Sequence, residues 1–266
     1  MLKVLLAFSS FFMSDEPEQI LFYTYPRSGS YLTCHVMSQL LDKNVVQIDC
    51  TKNHTPIHKS RVLAGKLHRE KWNRDIYKDR PILHTHLAFM SELLEKKGLL
   101  IVQIRNYREC MMRQFKDSSQ RALHELKNHL KFNTVEDSLK AHYNRLPYLN
   151  ALYLYESWDA DKRLLLYYED IMNDPKKEYR KLAQFLGLDN DEFEKRFHNY
   201  IQIQEDTYNF YNVTHGGAAS RKTKDPLYHT KKMQLGEIMG FDTFFKEHFP
   251  RYWEKYLARY ELKLAN

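Results

Sequence analysis

Residues 20–30 read Ile-Leu-Phe-Tyr-Thr-Tyr-Pro-Arg-Ser-Gly-Ser, and the fold turns on what this stretch is. Ile20–Tyr25 is an apolar and aromatic run with the length of a buried strand. Pro26 ends it, and Tyr31–Leu41 follows with Leu32, Val36, Leu40 and Leu41 on one face at helical spacing. Between strand and helix stand Arg27, Ser28, Gly29 and Ser30. The first N–H groups of a helix lack backbone partners and carry partial positive charge. A glycine lets the chain turn tightly and approach a ligand. Serine hydroxyls donate to anionic oxygens, and an arginine adds a permanent charge with a fork of donors. The combination is an anion cradle suited to a phosphate. The plainer alternative is a capped helix start beside a surface arginine. The loop is neither G-x-x-x-x-G-K-[ST] nor G-x-G-x-x-G, so ordinary ATPases, GTPases and dinucleotide enzymes gain no support from it.

Outward from this loop the chain alternates strands and helices. Pro81–Leu87 reads as a short strand, and Ser91 caps a helix that stops at Gly98. Leu99–Ile104 (LLIVQI) is the continuous apolar run of a central parallel strand, and Arg105 follows it directly. Residues 107–160 are mostly helical in pattern, with a break expected at Pro147. Leu164–Tyr168 is a further buried strand. Asp174-Pro175 opens a helix with a cap and an N1 proline; its stripe is Tyr179, Leu182, Ala183 and Leu186, and Gly187 ends it. The Gly216-Gly217 pair within the polar stretch 205–235 suggests a mobile loop, and the aromatic C-terminus from Phe244 reads as a helix packed back on the body. Residues 50–80 show no assignable pattern. The expectation is an α/β fold with a mostly parallel central sheet flanked by helices, binding its ligand beyond the carboxyl ends of the strands.

The 266 residues suit one large domain. The balance of 41 Lys and Arg against 34 Asp and Glu gives a net charge of +7, which favours anionic partners without selecting one. Three cysteines, Cys34, Cys50 and Cys110, make no paired framework and no C-x-x-C spacing, so the reading is a reducing, cytoplasmic compartment. Residues 1–12 are read as an upstream start or N-terminal extension preceding a single domain over 13–266. Their apolar run is too short to span a bilayer and lacks an A-x-A-like cleavage site; secretory routing is the alternative. No histidine spacing suggests a metal, and no basic stripe with interleaved aromatics suggests nucleic acid.

Four segments in order resemble one family. YPRSGSYL, beginning at Tyr25, is similar to the 5′-phosphosulfate loop of the sulfotransferases that use 3′-phosphoadenosine-5′-phosphosulfate (PAPS). Thr85–Leu87 resembles the segment with the catalytic histidine of the cytosolic branch. LLIVQIRNYRE resembles the strand and arginine of the 3′-phosphate site. LLLYYED and the helix after it resemble the family's YED segment. The resemblance covers residues 20–190 and implies a P-loop-like sulfotransferase fold. It also implies a sulfuryl transfer from PAPS to a hydroxyl or amine acceptor by in-line displacement. The product is 3′-phosphoadenosine-5′-phosphate (PAP), and no metal is needed.

The same resemblance assigns roles. Arg27 stabilises charge on the leaving phosphate, and Ser28, Gly29, Ser30 and Tyr31 bind the 5′-phosphosulfate. His86 takes the acceptor proton as general base; alternation puts His84 on the same face, so either histidine could be the one that matters, and a hydrogen-bonded strand histidine is the bland alternative. Arg105 pairs with the 3′-phosphate, unless it is a surface arginine at a strand end. Tyr168 contacts the adenine, or is a core tyrosine with its hydroxyl satisfied. Arg221 and Lys222 correspond to an Arg-Lys-Gly loop but lack its glycine, and a solvated basic loop is the alternative. The chain departs from the pattern at Tyr107, where the family has proline, and at Arg113, where it has serine. Arg113 either adds a second cation for the phosphate or marks a changed site. Arg108 is a further candidate or a solvated helix charge. The acceptor stays open: a small molecule, glycan, lipid or peptide hydroxyl. Two rivals also stay open, an ATP-using kinase with a P-loop-like fold and a nucleotide-binding protein that has lost its chemistry.

Overall fold

Apolar runs too short for helices become strands of one sheet. The computed structural model describes residues 19–25, 27–43, 45–50, 56–61, 67–71, 82–86, 98–115, 118–129, 147–205, 207 and 226–261. The N-terminal extension, the helix expected from Ser91, the Gly216-Gly217 pair and the Arg221-Lys222 pair lie outside these residues.

The strands are β1 (Ile20–Thr24), β2 (Val45–Cys50), β3 (Pro56–Arg61), β4 (Leu67–Lys71), β5 (Ile82–Thr85), β6 (Leu99–Ile104) and β7 (Arg163–Tyr167), in the order β4-β3-β2-β5-β1-β6-β7. The five from β2 to β7 in that order are parallel, and β3 and β4 extend one side antiparallel. The α/β fold with a mostly parallel sheet is therefore as expected. The strands β2 to β4 were not legible. β3 (PIHKSR) and β4 (LHREK) carry cations rather than an apolar run, as strands at the margin of a sheet commonly do.

Alternation along the central strands feeds two cores. Leu21, Tyr23, Leu83, Leu100, Val102 and Ile104 face one side. There they meet helices α2 (Tyr107–Gln114), α3 (Ser119–His129) and α4 (Pro147–Ser157) together with the aromatic C-terminus. Ile20, Phe22, Ile82 and Ile101 face the other, against α1 (Ser30–Leu41) and the later helices α5 (Tyr168–Asn173), α6 (Pro175–Phe185) and α7 (Asn190–Phe197). The Asp174 carboxylate accepts from Lys177 N at 3.0 Å, the capped start expected of α6. Pro147 opens α4 rather than merely breaking a helix, since its fixed φ and missing N–H suit a first turn. Tyr168 begins α5 instead of ending the strand. The C-terminus is not one helix: α8 (Leu235–His248) ends at Phe249, and Pro250, which cannot continue it, starts a second set of turns.

The turn after β6 anchors that C-terminal segment. Tyr107, which replaces the family's proline, is buried among Tyr148, Phe245, Trp253 and Tyr260, and its hydroxyl donates to Asp242. Arg108 Nη1 donates to the same carboxylate at 2.7 Å, and its other arm reaches the Tyr260 carbonyl. Arg108 is thus neither a solvated charge nor a site residue: it is a buried structural cation, 2% exposed.

Removing its carboxylate strands that charge. Asp242→Ala is expected to cost about 3–5 kcal/mol in denaturant unfolding. Asp242→Asn, which keeps an acceptor oxygen, is expected to cost less.

Candidate active site at the carboxyl ends of the parallel strands

The loop after β1 is held in an unusual shape. Arg27 has φ 72° and Gly29 has φ 81°, two left-handed residues flanking Ser28. For arginine this conformation costs about 1–2 kcal/mol, and such strain concentrates at functional turns. Ser28 N donates to Tyr25 O at 3.2 Å, closing the turn. Gly29 caps α1 and offers no side-chain oxygen to its first amides. Ser28 and Ser30 are buried and Arg27 is exposed. The Ser28 hydroxyl has no hydrogen-bond partner among the described residues, although it is fully buried. Buried hydroxyls are rarely left so.

The loop backbone is fixed from below by Gln103. Its amide donates to Ser28 O at 2.7 Å while its oxygen accepts from Thr33 on α1 at 2.6 Å. The signal for this residue was present in the sequence: Gln103 is the single polar side chain in LLIVQI.

Beside the loop lies a stack of Gly29, Tyr168 and Arg105. The Tyr168 ring lies so close to Gly29 that any β-carbon there would collide with it. The Arg105 guanidinium sits over the other part of this contact, 4.3 Å from the ring centroid. Arg105 is not a surface arginine: it is 2% exposed. Its Nη2 donates to Pro226 O at 2.6 Å, and its Nε has no hydrogen-bond partner among the described residues. One helical turn on, the buried Glu109 carboxylate stands 3.6 Å from Arg105 Nη2 and 3.7 Å from Arg113 Nε. Burial first, and then the neighbouring Arg105 charge, push the Arg113 guanidinium below its usual pKa. Two cations share the Glu109 carboxylate here, and the Glu169 carboxyl lies within electrostatic range of Arg105. Asn106 N donates to Glu169 at 2.9 Å, so the end of β6 is also tied to the start of α5, and burial raises the Glu169 carboxyl.

On the other side of β1, His86 follows β5. Its Nδ1 lies 2.7 Å from Thr24 O and 3.1 Å from Thr24 Oγ1, and the same hydroxyl is 2.9 Å from His84 Nε2. His84 is fully buried and His86 partly exposed. The structure therefore brings Ser28, Gly29, Tyr168, Arg105 and Arg113 into one cluster and sets His86 at the adjoining strand end. Ser30 and Tyr31 open α1 at the same edge. Gln103 was missed as a member because its partners are set by strand order; Glu109 was missed although it stands four residues after Arg105 and four before Arg113, a helical spacing the sequence displays. Chemically the arrangement suits a ligand with separated anionic groups: amides and hydroxyls at the β1 loop, guanidiniums at β6, and an imidazole across from them.

A family model described as a sulfotransferase domain matches residues 17–252. No curated protein matches the chain. Among solved structures, mouse sulfotransferase SULT7A1 complexed with PAP is similar at TM-score 0.54 and 15% identity, over 92% of this chain and 90% of that one. Retinol dehydratase in a complex with retinol and PAP is similar at TM-score 0.53 and 14% identity, over 88% and 81%. At these identities the likeness is one of fold.

The Gly29–Tyr168 contact yields a double-mutant test. Gly29→Ala adds left-handed strain of about 1–2 kcal/mol and a collision with the ring. Combined with Tyr168→Ala, the collision disappears and only the backbone strain stays. The two losses in thermal or denaturant stability are expected to be strongly non-additive, with the double variant more stable than their sum.

Proposed function

The chain belongs to the sulfotransferase domain family, and on that premise we propose that it moves a sulfuryl group from PAPS to a hydroxyl or amine acceptor. The observation that carries the donor assignment is the buried, partnerless Ser28 hydroxyl in a left-handed turn at a helix start. Tyr168 touches both the loop at Gly29 and the Arg105 guanidinium, and Arg113 shares Glu109 with Arg105. This supports a nucleotide with its 5′-phosphosulfate at the loop and its 3′-phosphate at the arginines. PAP in the complexes of the similar structures supports the same class of nucleotide.

In this reading Ser28, Gly29, Ser30 and Tyr31 hold the phosphosulfate oxygens with backbone amides and hydroxyls. Arg105 binds the 3′-phosphate, and Arg113 takes the place of a neutral serine with a second cation. Tyr168, packed on Gly29 and Arg105, presents its remaining edge to the base. Arg221 and Lys222, which lie outside the described residues, are taken as further cations for the 3′-phosphate. His86 Nε2 removes the acceptor proton. The acceptor oxygen or nitrogen then forms a bond to sulfur as the bond from sulfur to the bridging phosphate oxygen breaks. Arg27 stabilises the charge that grows on that oxygen, and one such donor is worth about 10²–10³ in rate. The acceptor is a small molecule or a hydroxyl of a glycan, lipid or peptide. No helix among the described residues is long and apolar enough to cross a membrane.

Titration with PAP, ADP and ATP tests the donor assignment. Saturation at about 100 times Kd raises stability by about 2.7 kcal/mol. PAP is expected to bind at least tenfold more tightly than ADP, and Arg105→Ala to erase that preference. Equal binding of PAP, ADP and ATP would overturn the 3′-phosphate site and put an ATP-using kinase ahead. With PAPS and any acceptor found in a phenol, sterol, sugar and tyrosine-peptide screen, Arg27→Ala is expected to lower kcat by about 10²–10³.

A further inference from the structure

Thr24 ends β1 one strand away from His84 and His86, and one hydroxyl meets both rings. We infer that Thr24, backed by His84, is a positioning residue that fixes the tautomer of His86. The inference rests on the reading of His86 as the base, but its geometry does not.

The proton positions follow from what each atom can do. A carbonyl oxygen has no hydrogen, so the 2.7 Å contact between His86 Nδ1 and Thr24 O requires the proton on Nδ1. The Thr24 hydroxyl, 3.1 Å from the same nitrogen, is then a second acceptor for that N–H. Thr24 is 0% exposed, so its own hydroxyl hydrogen needs a partner inside the protein. His86 Nδ1 is already a donor, which leaves His84 Nε2, at 2.9 Å, as the acceptor. His84 is thereby set as the Nδ1–H tautomer. The line runs from His86 Nδ1–H to Thr24 Oγ1, and from Thr24 Oγ1–H to His84 Nε2.

Two consequences bear on the reaction. With its proton on Nδ1, His86 carries its lone pair on Nε2, the nitrogen able to take an acceptor proton. When it does so, Nδ1–H stays donated to two threonine oxygens, and the hydroxyl is itself polarised by His84, so the imidazolium meets acceptors already in place. Tyr23 holds the other end of the residue, its hydroxyl donating to His86 O at 3.2 Å. The rings of His84 and His86 pack edge to face at 4.9 Å, so neither can turn without displacing the other. Buried polar threonine is otherwise an odd choice beside Phe22 and Tyr23 in a central strand; valine would fill the same space.

The test is the nitrogen spectrum of histidine, which separates the two tautomers directly. In ¹⁵N-labelled protein near neutral pH, with His86 assigned by loss of its signals in His86→Gln, His86 is expected to show a protonated Nδ1 and an unprotonated Nε2. Thr24→Val removes the hydroxyl at constant volume but keeps the carbonyl that accepts from His86 Nδ1, so His86 is expected to keep its proton on Nδ1 while His84, deprived of its donor, shifts toward a mixture of tautomers. Thr24→Ser is expected to restore the native pattern. A His86 that carries its proton on Nε2 in the native protein would overturn the inference even if Thr24→Val failed to fold. So would a Thr24→Val spectrum unchanged at His84. PAP binding by the same samples is a separate readout: its absence with the native histidine pattern intact sinks the nucleotide assignment and leaves the tautomer relay standing.

Discussion

Two guanidiniums kept out of water at the end of β6 set the terms for everything around them. Arg105 and Arg108 are each 2% exposed, and a buried cation must find acceptors or cost several kcal/mol. They solve the problem differently. Arg108 is held by a carboxylate at 2.7 Å and a backbone carbonyl, both from the C-terminal segment, although its Nε, like that of Arg105, has no hydrogen-bond partner among the described residues. Arg105 has one carbonyl, and its nearest carboxylate, Glu109, stands at 3.6 Å, beyond hydrogen-bond reach. The first cation is spent on the fold. The second, with one carbonyl and a more distant carboxylate, is the one proposed to bind the nucleotide, and Arg113 is proposed to add to it. One turn of chain thus ties the far third of the sequence to the sheet and leaves a positive site facing the strand ends.

That division was beyond sequence reasoning for identifiable reasons. The strands β1 and β6 were legible because parallel strands covered on both faces are continuous apolar runs, and the loop after β1 was legible because its chemistry is local. Arg108 admitted two readings, a solvated charge or a site residue, and it is neither. Its partner Asp242 is 134 residues away and carries no mark of the pairing. Tyr107 looked like a fault in a motif; it is an anchor for the aromatic C-terminus. Gln103 and Thr24 are single polar side chains in buried strands. Such a residue announces that it has a partner without naming it, because the partner depends on which strands adjoin. β3 and β4 were invisible because charged strands at the edge of a sheet have no periodic apolar face.

Sheet order also accounts for how a single loop serves both halves of the proposed reaction. In-line displacement needs the attacking group and the departing oxygen on opposite sides of the transferred atom. β1 lies between β5 on one side and β6 and β7 on the other. The imidazole comes from the β5 side, and the cations and tyrosine that fit the nucleotide come from the β6 and β7 side. The β1 loop stands between them, held down by Gln103 of β6 and neighboured by the Thr24 link to β5. The chain reaches this order by running from β1 past β5 to β2 and later crossing back over β1 to β6. That reversal opens a crevice at the carboxyl end of the first strand. In the proposed reaction the line of attack therefore follows from the strand order. The side chains need only supply acid–base and anion-binding chemistry at ends already placed on opposite flanks of one loop.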